Sequence, residues 1–95
     1  MIMAYIIRTN GEVETVYPEN GTDFSLEEMK KVVGGWIETV RLKKKKFMVV
    51  NEEGKLMGLD YNASATSLFQ SESLYPAGSD YIVGDVLVCD YNQIK

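Results

Sequence analysis

One short helix constrains the fold most, because its start and its end are both specified by local residues. Ser25 and Glu28 have the spacing of a capping box, in which each side chain bonds to the other residue's backbone N–H. Apolar side chains follow at helical spacing along one face: Leu26, Met29, Val32 and Val33. The pair Gly34-Gly35 then supplies the left-handed residue that ends many helices. These signals predict a helix over Leu26–Val33.

A β-hairpin is predicted before this helix. Residues 3–9 are rich in β-forming side chains, and Asn10-Gly11 is the strongest short hairpin signal. Residues 12–17 then alternate polar and apolar side chains until Pro18, which cannot donate to a ladder, closes the strand. We expect the two strands to pair antiparallel.

A second strand pair and a second helix are predicted after the first helix. Residues 36–42 and 47–51 have strand character, and the lysines between them are expected at an exposed hairpin tip. Asn62 has the position of an N-cap for a helix over residues 63–70. Residues 80–88 return to β structure, with a turn or bulge inside that segment.

The resulting order, β-β-α-β-β-α-β, predicts an α+β fold. We expect a mostly antiparallel sheet or partial barrel with two helices. A chain of 95 residues makes a single domain, residues 1–95. Because so small a domain buries limited apolar surface by itself, we expect it to gain buried area as a homo-oligomer.

Composition limits the partners and the compartment. The net charge of −4 argues against a duplex-DNA binder, since such proteins usually present a basic surface. The single cysteine, Cys89, lies in an apolar strand-like run and is predicted to be a small core residue in a reducing compartment. Residues 1–7 lack the pattern of a signal peptide, and no apolar run approaches the ~18 to 20 residues of a membrane span. We therefore expect a cytoplasmic protein with no membrane partner.

The residue types in this chain give little support to a catalytic function. The chain has no histidine, which excludes Ser-His and Cys-His nucleophilic arrangements and zinc sites built on histidine. The pairs Glu27-Glu28 and Glu52-Glu53 are adjacent in sequence, so their carboxylates do not converge on one target and are expected on the solvated surface. A carboxylate pair assembled across the fold remains an alternative. We expect a protein that is not an enzyme, with no metal and no cofactor.

Residues 34–62 combine glycine, asparagine, lysine and aromatic side chains, a mixture that suits a small, flat, anionic ligand. The candidate ligand-binding residues are Gly34, Gly35, Trp36, Lys44, Lys45, Asn51, Lys55, Tyr61 and Asn62. Within this set, the asparagines and Lys55 offer donors to base edges and phosphate, and Tyr61 offers a stacking face.

Each of these residues also has a plainer interpretation. The glycines let a phosphate approach closely, but glycine also simply ends helices. Trp36 would stack on a purine if exposed, although its strand position favours the core. Lys44 and Lys45 attract phosphate, or form a solvated tip that protects a sheet edge. At most two of the four successive lysines would serve one site.

Several segments, in order, resemble a small phage and bacterial family catalogued as domain of unknown function 3846. Residues 26–40 resemble its opening LEExQxxVGGxIExV, and residues 50–59 contain its block NEEGKLxGL. Asn62 with Ala65-Thr66 is similar to its NxxAT segment, and residues 82–88 to its closing IxGDVLV. The chain departs from the family where Asp60-Tyr61-Asn62 replaces a proline-containing PxN segment. The resemblance implies a small accessory or host-takeover protein in the host cytoplasm, and it supplies no catalytic residues.

Three functions remain open on these grounds. The first is a homo-oligomeric phage sponge that sequesters a cyclic di- or trinucleotide immune signal without cleaving it, an analogy with phage anti-defence proteins of similar size. The second is an acidic protein that binds and inhibits a host enzyme without a small ligand. The third is a nucleotide-acting enzyme. The first two differ in whether the basic residues gather in a concave site or stay on a convex tip.

Overall fold

A computed structural model describes residues 3–94 of the chain. Its elements, in chain order, are β1 (Ala4–Ile7), β2 (Val13–Val16), α1 (Leu26–Val33), β3 (Ile37–Leu42), β4 (Lys46–Asn51), α2 (Ala63–Glu72) and β5 (Val86–Asp90), followed by a 3-10 turn at Tyr91–Gln93. The predicted order of strands and helices is confirmed. The 3-10 turn was not predicted.

The strands form one five-stranded sheet in the order β2-β1-β5-β4-β3. Every neighbouring pair in it is antiparallel. The two predicted hairpins, β1–β2 and β3–β4, lie at opposite sides, and β5 joins them in the middle. The α+β fold class is therefore confirmed, as an open sheet in which β2 and β3 are the edge strands.

The two helices cover opposite faces of the sheet. On one face, Met29 and Val33 of α1 pack on the buried strand residues Ala4, Ile6, Val49, Leu87 and Cys89. On the other face, Ala65 and Phe69 of α2 pack on Ile7, Met48, Val50, Val86 and Val88. As predicted, Cys89 is a core residue, and its burial raises the pKa of the thiol to about 12. The thiol is therefore held in its neutral form.

The segment predicted as a strand over residues 80–88 is divided in two. Only Val86–Asp90 joins the sheet, while Val83 makes a single antiparallel bridge to Tyr61. The cause is Gly84, which has a φ of +77° and whose carbonyl accepts a hydrogen bond from the Asn62 side chain. A left-handed residue reverses the local chain direction and stops the ladder.

Candidate functional site

The glycine pair at the end of α1 serves the backbone. Gly34 is the left-handed C-cap, with a φ of +81°, and its N–H donates to the Lys30 carbonyl at 2.8 Å. At Gly35 a Cβ atom would lie only 3.0 Å from Nδ2 of Asn51. Gly34 is thus required by its conformation, and Gly35 by the close approach of the Asn51 side chain.

The two asparagines are buried and bonded to backbone atoms. Nδ2 of Asn51 donates to the Val33 carbonyl at 3.0 Å, and its Oδ1 accepts from the Glu53 N–H at 2.8 Å. Nδ2 of Asn62 donates to the carbonyls of Ile7 and Gly84, and its Oδ1 accepts from the Ala65 N–H. The donors predicted to recognise base edges are therefore already engaged, because capping and ligand recognition require the same amide chemistry.

Trp36 lies on the surface and not in the core that its strand position favoured. Its side chain is 57% exposed, and Nζ of Lys30 lies 4.1 Å from the ring centroid. A cation over the ring is an attractive contact. One face of the indole is therefore covered by this chain's own lysine.

The lysine run forms the exposed tip of the β3–β4 hairpin, as predicted. Lys44 and Lys45 have φ values of +63° and +58°, a conformation that costs a side-chain-bearing residue about 1–2 kcal/mol. With Asp90, Tyr91 and Asn92 they line a shallow depression of about 470 Å³. Lys46 belongs to β4 instead, and its Nζ is 2.9 Å from Oδ1 of Asp90.

A concave site lies on the α2 face of the sheet, against the edge strand β3. A cavity of about 250 Å³ has an apolar floor made by Val40, Val50, Phe69, Ile82 and Val83. A second cavity, of about 340 Å³, shares Val40 and Phe69 with it and extends along β3 to Arg41, Tyr75 and Pro76. The two cavities adjoin at these shared residues and are named here, together, the edge groove.

The rim of the edge groove is acidic. Its lining includes four carboxylates, those of Glu38, Glu52, Glu53 and Asp80, and two cations, Lys55 and Arg41. Lys55 is already paired with Asp80 and lies 4.3 Å from the ring centroid of Tyr81. The hydrogen bond from Lys55 lowers the pKa of Asp80 below its ordinary value, so this carboxylate stays charged. The groove therefore carries a net negative charge.

The structure brings only some of the predicted site residues together. Lys55 and Asn51 line the edge groove, and the Tyr61 ring lies 6.0 Å from that of Tyr81 at its rim. The hairpin-tip lysines follow the end of β3 and line a separate depression, and Asn62 is fully buried.

The residues that sequence reasoning missed come from distant segments. Phe69 comes from α2, and Asp80 and Tyr81 come from the chain before β5. One signal was available: strand alternation places Glu38 on the same face as Val40. The adjacent pair Glu52-Glu53, expected on the solvated surface, is exposed and also borders the groove.

Comparison with known proteins identifies the family. A family model described as a domain of unknown function, DUF3846, matches residues 2–94. The chain belongs to this family. No curated protein and no solved structure matches it. In this DUF3846 chain, the NEEGKLxGL block begins at the last residue of β4, Asn51, and supplies the Glu52–Leu56 side of the edge groove.

Two absences hold for residues 3–94, the part of the chain that the structure describes. In this part of the chain no three Cys, Asp or Glu side chains are grouped so as to hold a metal ion. Neither of the helices there has the length and apolar character needed to cross a membrane.

Proposed function

We propose that this DUF3846 chain is a non-catalytic binding protein that docks a partner protein in the edge groove. The observation that supports the proposal is the separation of the basic hairpin tip from the acidic edge groove. The edge groove has four carboxylates and only two cations on its lining, whereas Lys44 and Lys45 line a separate depression at the hairpin tip. An anionic nucleotide would be repelled by the groove, and a cationic protein segment would be attracted.

The groove also has the anatomy of a protein interface. An apolar floor surrounded by a polar rim is the usual arrangement, with aromatic side chains enriched among the contacts. Tyr75, Tyr81 and Leu56 are exposed at the rim, so they offer apolar area that a partner can bury. Burial of these side chains would supply affinity, and the carboxylates would select the charge of the partner.

A peptide-display selection against the purified protein tests this proposal. We expect the enriched sequences to be basic, and their affinity to fall at least about tenfold in the double charge reversal Glu38→Lys, Glu52→Lys. The control is Glu27→Lys, an exposed position on α1, which should leave the affinity unchanged. Failure to enrich any peptide, or enriched peptides that ignore the double reversal, would reject the proposal.

The cyclic-nucleotide sponge is the second candidate, favoured by one observation at the hairpin tip. Lys44 and Lys45 adopt the left-handed conformation that Asn-Gly would occupy with less strain. Strain of this kind is often retained for function. The tip also has Tyr91 and Asn92 beside the two ammonium groups, a combination that suits a phosphate and a base.

Calorimetry with a panel of cyclic di- and trinucleotides tests the second candidate. It requires at least one submicromolar ligand, recovered unchanged by chromatography after heat denaturation. The double substitution Lys44→Asn, Lys45→Gly should then abolish binding while raising the midpoint of thermal unfolding, because it relieves backbone strain. If no member of the panel binds, the sponge function is wrong for this ligand class.

A further inference from the structure

The edge strand β3 turns part of its backbone outward, beside the edge groove. The Trp36 carbonyl accepts from the Glu52 N–H at 2.9 Å, on the β4 side of the strand. In an antiparallel ladder successive residues alternate, so the main-chain groups of Ile37, Thr39 and Arg41 point away from β4. The Arg41 carbonyl does so, since it accepts from the Leu74 N–H at 3.1 Å.

The chain itself begins to add a strand at this edge and then stops. Ser73 forms an antiparallel bridge with Leu42, and the Lys43 N–H donates to the Glu72 carbonyl at 2.8 Å. Continuing that register places Pro76 opposite Thr39. Proline has no N–H to donate, so the pairing ends there. Within residues 3–94, no strand of the sheet lies on the outer side of Ile37 and Thr39.

An exposed edge of this kind is a template for another strand. A strand that pairs with Ile37–Val40, short of the Arg41 carbonyl that Leu74 already occupies, has room for about four residues at ~3.3 Å each. Its side chains alternate, so every second one points over Val40 and Phe69 into the groove. A lysine or arginine there lays its apolar stem on this floor and brings its charge to Glu38 at the rim.

Resting on the function proposed above, we infer that the occupant of the edge groove is an extended, basic segment of a partner protein, added to β3 as a strand. Main-chain hydrogen bonds to Ile37 and Thr39 supply affinity that is independent of sequence. The groove supplies specificity for Lys or Arg at alternate positions of the segment. The partner therefore presents a flexible or edge segment of this composition.

Charge complementarity distinguishes this occupant from a second copy of the chain. A second copy offers two sheet edges, β2 with its exposed Glu14 and β3 with its own Glu38. Each copy also carries a net charge of −4. Bringing such an edge to the acidic rim sets like charges against each other, which costs free energy.

The test uses a short peptide of alternating lysine and threonine, and NMR or calorimetric titration of the whole chain. Two N-methylated forms of the peptide are compared with the parent. The first form, the inward frame, carries methyl groups on the amides that face β3 when the lysines point into the groove. The second form, the outward frame, carries them on the amides that face away from β3. A peptide in which glutamate replaces lysine is the charge control.

Strand addition predicts that the lysine peptide binds and slows amide exchange at Ile37 and Thr39. It also predicts that methylation of the inward frame weakens binding at least about tenfold, while the outward frame binds like the parent. Equal binding of both frames would overturn strand addition and leave the docking function intact. A second outcome is that the lysine peptide does not bind, while peptides from the display selection still lose affinity in the Glu38→Lys, Glu52→Lys variant. This outcome would overturn strand addition by a basic segment and leave the docking function intact. If the display selection also yields no peptide that depends on Glu38 and Glu52, both the docking function and strand addition are rejected.

Discussion

At the scale of single residues, Asn62 joins three parts of the chain that are far apart in sequence. Its buried amide bonds to the Ile7 carbonyl in β1, the Gly84 carbonyl before β5 and the Ala65 N–H in α2. Each of these backbone groups would lose its partner if the side chain were changed. Asn62 is therefore a structural residue, and its side chain acts as a helix cap and a double donor.

The substitution Asn62→Asp tests this role because it keeps the shape and the acceptor but removes both donors. We expect a loss of roughly 3 kcal/mol in the free energy of unfolding, since two buried carbonyls lose their bonds and face a carboxyl group. The matched control is Asn10→Asp, where the exposed side chain only accepts from the Glu12 N–H. Chemical denaturation measures both; similar small losses would show that the Asn62 donors contribute little.

The pairing of Lys55 with Asp80 makes a prediction about ionisation. In Lys55→Gln the pKa of Asp80 should rise towards its ordinary value, because the largest cause of its depression is the hydrogen bond from Lys55. A depressed carboxylate pKa favours the folded state above the unfolded-state pKa, and this contribution is lost as the pH falls through the folded-state pKa. NMR titration of the side-chain carboxyl gives the pKa directly. An unchanged value, or an equal change in the control Lys31→Gln, would contradict the assignment.

At the scale of elements, α1 begins and ends where its local signals place it. Oγ of Ser25 accepts from the Glu28 N–H at 3.1 Å, and the Glu28 carboxylate accepts from the Ser25 N–H at 2.8 Å. Glu28 also accepts from the Glu19 N–H, and these backbone bonds lower its pKa, with Ser25 the larger cause. The capping box thus fastens both the helix start and the loop before it.

Ser25→Ala should lower the free energy of unfolding by about 1 kcal/mol, because the Glu28 N–H loses its acceptor. Ser67→Ala is the control, since Ser67 is exposed in the middle of α2, where alanine is the better helix former. Thermal or denaturant unfolding of the two variants gives the comparison. Equal stability of Ser25→Ala and the unmodified chain would argue against the cap.

The parts of the fold that the sequence predicts are those with local causes. The Asn10-Gly11 hairpin, the Ser25 cap and the Asn62 cap each depend on residues within a few positions of one another. The place of β5 between β1 and β4 depends on pairing across the whole chain, so no local pattern specifies it.

The candidate site was less predictable for the same reason. Lys55 was identified from its own segment, but its partner Asp80 and the floor residue Phe69 come from segments that only the fold brings near. The asparagines were assigned to a ligand because their donors serve a base edge or a backbone carbonyl equally well, and sequence does not distinguish the two. For Asn62, burial identifies the backbone carbonyls as the partners, because its polar atoms all face the protein interior.

At the scale of the whole molecule, the other edge of the sheet carries an exposed apolar stripe. Strand register places Met3, Val13 and Tyr17 on one face of the β1–β2 hairpin. Their side chains are 51%, 61% and 60% exposed. Such a stripe on a small domain favours association with a second copy.

We accordingly expect a homo-oligomer in solution, and we expect Val13→Lys to shift it towards the monomer without changing peptide affinity in the edge groove. Sedimentation equilibrium gives the mass of each form. Thr15→Lys is the comparison, because it adds the same charge on the same strand face without removing an apolar side chain of the stripe. A monomer mass for the unmodified chain at working concentrations would refute the expectation.

The molecule is proposed to bind a cationic, extended segment in the edge groove, beside β3. Chemical-shift mapping of the backbone amides with the lysine-threonine peptide locates this directly. We expect the shifts to concentrate along β3 from Ile37 to Val40 and along the facing segment from Tyr75 to Val83. Shifts that concentrate at the hairpin tip around Lys44, or at Trp36 and α1, would contradict it.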